Sequence, residues 1–164
     1  MKTLLLLRHA KSSWKEPELR DFDRPLNKRG EKAAPLMGKF MKERKLKPDL
    51  IISSPAVRAR RTAALVVERA ELQAELRYDE RIYEADVEAL LKVVSQIDDG
   101  AETVLLVGHN PGFQELLKFL TGEEHEFPTA ALALISLKLD KWSGVQQNTG
   151  RLKWLVTPKS LEKE

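Results

Sequence analysis

Two arginines and two histidines occupy positions in this sequence from which they could surround a phosphate group. Arg8 and His9 end one apolar run. Arg58 lies about one turn into the helix expected after a second apolar run, and His109 ends a third. A guanidinium can hold phosphate oxygens through two parallel hydrogen bonds. Two guanidiniums and two imidazoles brought together would therefore form a site for a dianionic group.

Each of these features also has an ordinary structural interpretation. An Arg-His pair after a strand is more often a structural turn than a catalytic pair. Arg58, Arg60 and Arg61 could form the solvated face of a helix. His109 lies in a glycine-proline turn, where it could simply satisfy backbone groups. The combination of the features, rather than any one of them, points to chemistry.

The apolar runs are the strands that must position these side chains. They lack the alternation of a half-exposed strand, which predicts buried strands of a parallel sheet, over Leu4–Leu7, Leu50–Ile52 and Thr103–Val107. Capping residues and apolar spacing predict helices over about 27–44, 56–70, 87–97 and 111–120. Two β-rich segments, 130–139 and 151–156, predict an antiparallel edge. The expected fold class is α/β, three-layer α-β-α with a mainly parallel central sheet.

The strand ends explain how residues distant in sequence could meet. In open sheets of this kind, ligands bind beyond the carboxyl ends of the strands. Arg8-His9, Ser53-Ser54 and Gly108-His109 each directly follow a predicted strand. The helices expected after Pro55 and Pro111 would also aim their free amides at this rim, which favours an anion.

Composition limits the type of protein. The 164 residues suit one domain, which we place at 1–158 with a flexible tail over 159–164. The chain has no cysteine, which excludes cysteine nucleophiles and thiolate zinc sites. A formal net charge of +3 does not demand a nucleic-acid partner. The basic helix from Arg58 to Arg69 could bind nucleic acid, but Glu68 and Glu71 interrupt its positive charge.

Localisation and cofactors follow from what the sequence lacks. The first apolar run stops at Arg8, short of a signal peptide, and no other run approaches the length of a membrane span. We therefore expect a cytoplasmic protein without a membrane partner. The spacing of the three histidines matches no metal-ligand signature, so neither a metal nor another cofactor is expected.

Four motifs, in order and spacing, resemble the histidine phosphatase superfamily: LLLLRHAKS, PLNKRG, IISSPAVRARRTA and VLLVGHNPG. The short chain, the RHAKS form and the GHNP turn look most similar to SixA-type phosphohistidine phosphatases. The resemblance implies a phosphoglycerate mutase-like fold and a covalent mechanism in which His9 is the nucleophile. It further implies that Arg8 and Arg58 bind the phosphoryl oxygens and that His109 faces His9.

The same resemblance suggests further site residues. Lys11 and Ser12 follow the first motif closely enough to line the mouth of the pocket. Glu84 is the best-placed candidate for a general acid that protonates the leaving group, and its alternative interpretation is a surface carboxylate. Asp21 and Asp23 are better suited to fixing a loop through hydrogen bonds.

Two local expectations concern the nucleophile. The family usually has glycine where this chain has Ala10, so the backbone there should avoid a positive φ. The charges of Arg8 and Arg58 should lower the pKa of His9, which suits a nucleophile that must be neutral. A bound phosphate would instead favour the protonated form of His109.

The chain between Arg58 and His109 has no room for an inserted cap, which predicts an open, shallow site. Such a site would admit a phosphorylated side chain on a protein. The leading hypothesis is a metal-independent phosphatase that acts through a phosphohistidine intermediate, with phosphohistidine in a protein as substrate. The alternatives are a phosphatase of small phosphate esters and a module that binds phosphate without cleaving it.

Overall fold

The strand arrangement fixes where every site residue leaves the sheet. The computed structural model describes residues 1–162, and within them six strands form one sheet. The strands are β1 (Lys2–Arg8), β2 (Leu50–Ser53), β3 (Glu75–Tyr78), β4 (Thr103–Gly108), β5 (Leu132–Leu137) and β6 (Gly150–Val156). Their order across the sheet is β3-β2-β4-β1-β5-β6. The first four run parallel, whereas β5 is antiparallel to β1 and β6, which confirms the predicted antiparallel edge.

Helices cover both faces of this sheet. They are α1 (Lys28–Glu43), α2 (Val57–Ala70), α3 (Val87–Ser95), α4 (Gly112–Thr121) and α5 (Pro158–Glu162). Leu4 and Leu6 of β1 belong to the core beneath α3 and α4, whereas Leu5 and Leu7 belong to the core beneath α1 and α2. Because successive strand residues point to opposite faces, an unbroken apolar run is what a strand covered on both sides needs. The predicted three-layer α-β-α class is confirmed.

The helix ends follow their capping residues. Asn27 accepts a hydrogen bond from the Gly30 amide, and α1 begins directly after it. Pro35 lies inside α1, within its second turn. Gly122 ends α4 in the left-handed conformation that glycine adopts without steric cost.

Two shorter elements complete the fold. The segment after Tyr78, for which the sequence predicts no regular element, forms a 3-10 turn over Glu80–Ile82, and α5 lies where the predicted flexible tail begins. Residues 159–162 of the predicted tail are therefore helical, and Leu161 packs against the core beneath α1. Residues 163 and 164 of that predicted tail lie outside the described residues. Among residues 1–162, no helix combines the length and the apolar composition that crossing a membrane requires.

Candidate active site

The carboxyl ends of β1, β2 and β4 lie together at one edge of the sheet, because β4 pairs with both of the other strands. His9 follows β1, His109 follows β4, and Arg58 lies in the first turn of α2, just after β2. All three side chains are buried, at most 8% exposed. The structure therefore brings together the residues that the sequence placed on one rim.

The two imidazoles of the site lie side by side, with ring centroids 5.1 Å apart. His9 Nδ1 lies 2.7 Å from the Ala10 carbonyl oxygen. Since a carbonyl can only accept, Nδ1 carries the proton and donates it. His9 Nε2 therefore keeps its lone pair, and the Nε of Arg58 lies 3.4 Å from it. The imidazole is oriented as a nucleophile should be, with Nε2 toward the arginine.

Ala10 supports this orientation of His9. Its backbone has no positive φ, as the sequence predicted for an alanine at this position. Its amide donates to Thr62 Oγ1 at 2.9 Å, and the Thr62 hydroxyl donates to the Arg58 carbonyl. The turn after β1 is thus tied to the helix that carries Arg58.

Burial is the main reason why His9 is neutral. Burial is the largest of the effects that together lower the pKa of His9 to about 4; the charges of Arg58, Arg8 and Arg24 add to it, and the hydrogen bond to Ala10 acts in the opposite direction. The predicted direction is confirmed, although the sequence reasoning named only the charges. At neutral pH the ring has no charge, so Nε2 is unprotonated and accepts the hydrogen bond from Arg58 Nε.

The orientation of His109 comes from a serine at the end of β2. Ser54 Oγ accepts from the Ala56 amide and lies 2.7 Å from His109 Nε2. A hydroxyl has one proton to donate, and we assign it to Nε2, which places the ring proton on Nδ1. Nδ1 is buried and has no hydrogen-bond partner within residues 1–162. It is therefore available to donate to an anion.

The arginines concentrate positive charge around these rings. Arg8 donates through Nη1 to the Phe127 carbonyl at 3.1 Å, while its buried Nε has no partner in the described part of the chain. Burial, and then the charge of Arg58, lowers the pKa of Arg8. An unpaired buried donor costs about 1–3 kcal/mol, so an anion that accepts from Arg8 and His109 would bind with that advantage.

Asp21 holds the other edge of the Arg58 guanidinium. Arg58 donates to the Asp21 backbone oxygen at 2.7 Å and to its carboxylate at 2.9 Å. The same carboxylate accepts from Arg24 at 3.0 Å and from the Tyr83 hydroxyl at 2.7 Å. Asp21 therefore fixes the loop after β1 over the site, which is the role that the sequence favoured for it.

These contacts also decide which groups could supply a proton. Partial burial raises the pKa of Asp21, but the hydrogen bonds from Tyr83, Arg58 and Arg24 outweigh it and bring the pKa to about 2. Burial and the bond to Asp21 raise the pKa of Tyr83. At neutral pH, Asp21 has no proton to give and Tyr83 gives up its proton poorly. Neither group suits a general acid.

The remaining predicted site residues lie nearer the surface. Glu84 is exposed, and its charge contributes to the raised pKa of Tyr83. Lys11 is exposed, and the hydroxyl of Ser12 accepts a hydrogen bond from Arg24. The substrate roles of these three residues stay predictions.

Sequence reasoning placed Ser54 on the rim, directly after β2, but did not predict that it orients His109. It did not identify Arg24 and Tyr83 as site residues. Both residues donate to Asp21, and the Tyr83 ring packs edge-on against His109 with centroids 5.5 Å apart. These are contacts between distant parts of the chain that no local pattern encodes.

His9 and His109 are expected to stay neutral down to about pH 5 in the phosphate-free protein. Their pKa values of about 4 and about 3 lie below the ordinary 6.5. The unfolded chain therefore binds protons first, and stability is lost as the pH falls from 6.5 toward the folded pKa values of about 4 for His9 and about 3 for His109. NMR of the imidazole protons should show no titration of either ring between about pH 8 and 5.

Adding inorganic phosphate should bring a titration of His109 into that range, because an adjacent anion stabilises the imidazolium. A His9 ring that titrates near its ordinary pKa without phosphate would contradict the orientation and burial described for it.

This geometry has counterparts among known proteins. The family sequence model of the histidine phosphatase superfamily (branch 1) matches residues 4–97 of this chain. The chain therefore belongs to the histidine phosphatase superfamily, and its structure is of the SixA type. A structure from Agrobacterium tumefaciens, provisionally named the phosphohistidine phosphatase SixA, is 32% identical with a TM-score of 0.82, over 96% of this chain and 98% of that one.

Two further comparisons agree with this family. A similarly named structure from Nakamurella multipartitia is 26% identical with a TM-score of 0.84, and the match covers 96% of each chain. An uncharacterized chloroplastic protein of Arabidopsis thaliana is 31% identical, over 96% of this chain and 78% of that protein. The likeness thus extends over the whole domain.

Proposed function

We propose that this protein is a metal-independent phosphatase that acts through a phosphohistidine at His9 and removes phosphate from phosphohistidine in a protein. The observation that carries the proposal is the state of His9. It is neutral, its Nδ1 donates to Ala10, and its Nε2 faces Arg58. A module that only binds phosphate has no need of a neutral, oriented imidazole among arginines.

In the first step, the phosphoryl group lies between Arg8, Arg58 and His109. His9 Nε2 attacks phosphorus, so that a P–N bond to the enzyme forms while the bond to the leaving group breaks and its electron pair departs with that group. The ring becomes cationic, and the Ala10 carbonyl stabilises its Nδ1 proton. Phosphoryl transfer needs mainly positioning and charge neutralisation of the equatorial oxygens, which the guanidiniums and His109 supply.

In the second step, water attacks the phosphorus of the phosphoenzyme. A P–O bond forms, the P–N bond breaks, and its electron pair returns to His9 Nε2. The proton of the attacking water passes to solvent, and inorganic phosphate leaves. Two displacements through an imidazole replace one difficult displacement by water.

The choice of a phosphohistidine substrate rests on three supports. The P–N bond is labile and asks less of a general acid, which suits a site where Asp21 is ionised and Tyr83 holds its proton. Between α2 and β4 the chain forms β3, a 3-10 turn and α3, and no inserted cap. The structural relatives from Agrobacterium and Nakamurella bear the name of phosphohistidine phosphatases.

A substrate panel with EDTA present tests this function. It compares a protein phosphorylated on histidine with phosphoserine, phosphotyrosine and sugar phosphates. The proposal expects turnover without added metal and the highest kcat/KM on the phosphohistidine protein. Preference for a sugar phosphate would favour the small-ester alternative, and binding without turnover of any substrate would favour the recognition module.

The proposed general acid Glu84 can be tested by Glu84→Gln. Protonation of a leaving group contributes about 100-fold or more where that group is a poor one. We therefore expect a loss of about 100-fold on a sugar phosphate and less than about threefold on a phosphohistidine protein or p-nitrophenyl phosphate. Equal effects on all three substrates would identify Glu84 as a surface carboxylate without this role.

A further inference from the structure

Trp14 stands out as an apolar side chain that folding leaves in water. It is 75% exposed. The guanidinium of Arg24 lies over its ring, with Cζ 3.2 Å from the centroid. Trp14 is thus a large apolar surface held in place from one side.

Arg24, which supports the ring, is fixed by its own hydrogen bonds. It is only 7% exposed. It donates to the Ser13 carbonyl, to the Ser12 hydroxyl and to the Asp21 carboxylate. These three hydrogen bonds hold the buried Arg24 guanidinium in one position, so the Trp14 ring stacks on a rigid surface. Such an aromatic loses little conformational entropy when a partner covers it.

The same contacts connect Trp14 to the phosphate site. Its loop is closed by a bridge between Ser12 and Leu26, next to the residues that follow β1. Asp21, which accepts from Arg24, also holds Arg58. The charge of Arg24 is near enough to lower the pKa of His9. The aromatic surface and the nucleophile therefore belong to one rigid assembly.

We propose that Trp14 is a docking contact for the polypeptide around the phosphorylated side chain of a protein substrate. This inference rests on the proposed function and deepens it. Tryptophan and arginine dominate the energetics of protein interfaces. A small ester fills only the hollow between the arginines and histidines, whereas a folded protein must also cover the rim. Trp14 would thus raise activity on protein substrates without affecting activity on small esters.

The test compares Trp14→Ala on two substrates. On a protein phosphorylated on histidine, kcat/KM is expected to fall about 10-fold or more, the loss of one interface hot spot. On p-nitrophenyl phosphate, kcat and KM should stay within about twofold, since that ester does not reach the rim. Trp14→Phe, which retains an aromatic face, should recover most of the activity on the protein.

Tyr78→Ala is the matched control. Tyr78 is also an exposed aromatic, 42% exposed and stacked on Arg60 at 4.4 Å, but no hydrogen bond of its side chain joins it to the Asp21 contacts within the described residues. Its loss should leave both activities unchanged. An equal loss of protein-substrate activity in Tyr78→Ala would show a general effect of exposed aromatics and overturn the inference.

Other outcomes also overturn it. Equal losses of kcat/KM on both substrates would mean that Trp14 acts through Arg24 on the site itself. Unchanged kcat/KM on both would mean that Trp14 does not contact the protein substrate. A change in sedimentation from dimer to monomer in Trp14→Ala would assign the ring to a second copy of the chain. Failure of the proposed function is seen separately, as a wild-type protein that hydrolyses neither substrate.

Discussion

His9→Ala is expected to abolish turnover of every phosphate substrate while the protein stays folded. The variant removes the atom that would carry the phosphoryl group, and loss of a covalent nucleophile typically lowers kcat by more than about 10⁴-fold. Leu4–Leu7 of the β1 strand beneath it are fully buried, and the strand keeps its pairing with β4 and β5. Steady-state kinetics measures the loss of turnover, and circular dichroism on the same sample measures whether the protein is folded.

His125→Ala is the control for this experiment. His125 lies near the surface, and its side chain contacts Glu123 rather than a residue of the site. Its removal should leave kcat and KM unchanged. If His9→Ala kept more than about a tenth of the wild-type kcat, covalent catalysis by His9 would be wrong.

Arg58→Ala is expected to have the second largest effect. It removes the guanidinium that faces His9 Nε2 and positions the phosphoryl oxygens. One positioned hydrogen-bond donor that stabilises the charge developing in the transition state contributes about 10²–10³-fold to kcat. Arg58→Lys should recover little, because an ammonium lacks the fork that contacts His9 and Asp21 together.

Arg61→Ala is the matched control, because it removes the same residue type from the same helix. Arg61 is exposed and pairs with Glu31 through two nitrogens, outside the site. Surface pairs of this kind contribute about 0–1 kcal/mol to stability, so activity should be unchanged. An Arg61→Ala variant as impaired as Arg58→Ala would show that the loss comes from α2 as a whole.

The convergence of the main site could be predicted because it depends on local patterns and one topological rule. The apolar runs of β1, β2 and β4 are unbroken, and each is followed at once by the residues concerned. Parallel strands end at one edge. Hence His9, Arg58 and His109 could be placed together without knowledge of the strand order.

The loop after β1 could not be predicted in the same way. Its position depends on Asp21 contacting Arg58 and Tyr83, residues 37 and 62 positions away. The degree of burial of His9, the largest cause of its lowered pKa, is likewise a property of the packed site rather than of neighbouring residues. Side-chain contacts between distant loops carry no periodic signal that a single sequence reveals.

The covalent mechanism requires that His9 becomes phosphorylated during turnover. Rapid quenching of the wild-type protein with a ³²P-labelled substrate, followed by mapping of the labelled residue, measures this phosphorylation. We expect a label that is stable in alkali, lost in acid and located on His9, with none in His9→Ala. Turnover without a labelled protein, or a label on any other residue, would contradict this mechanism.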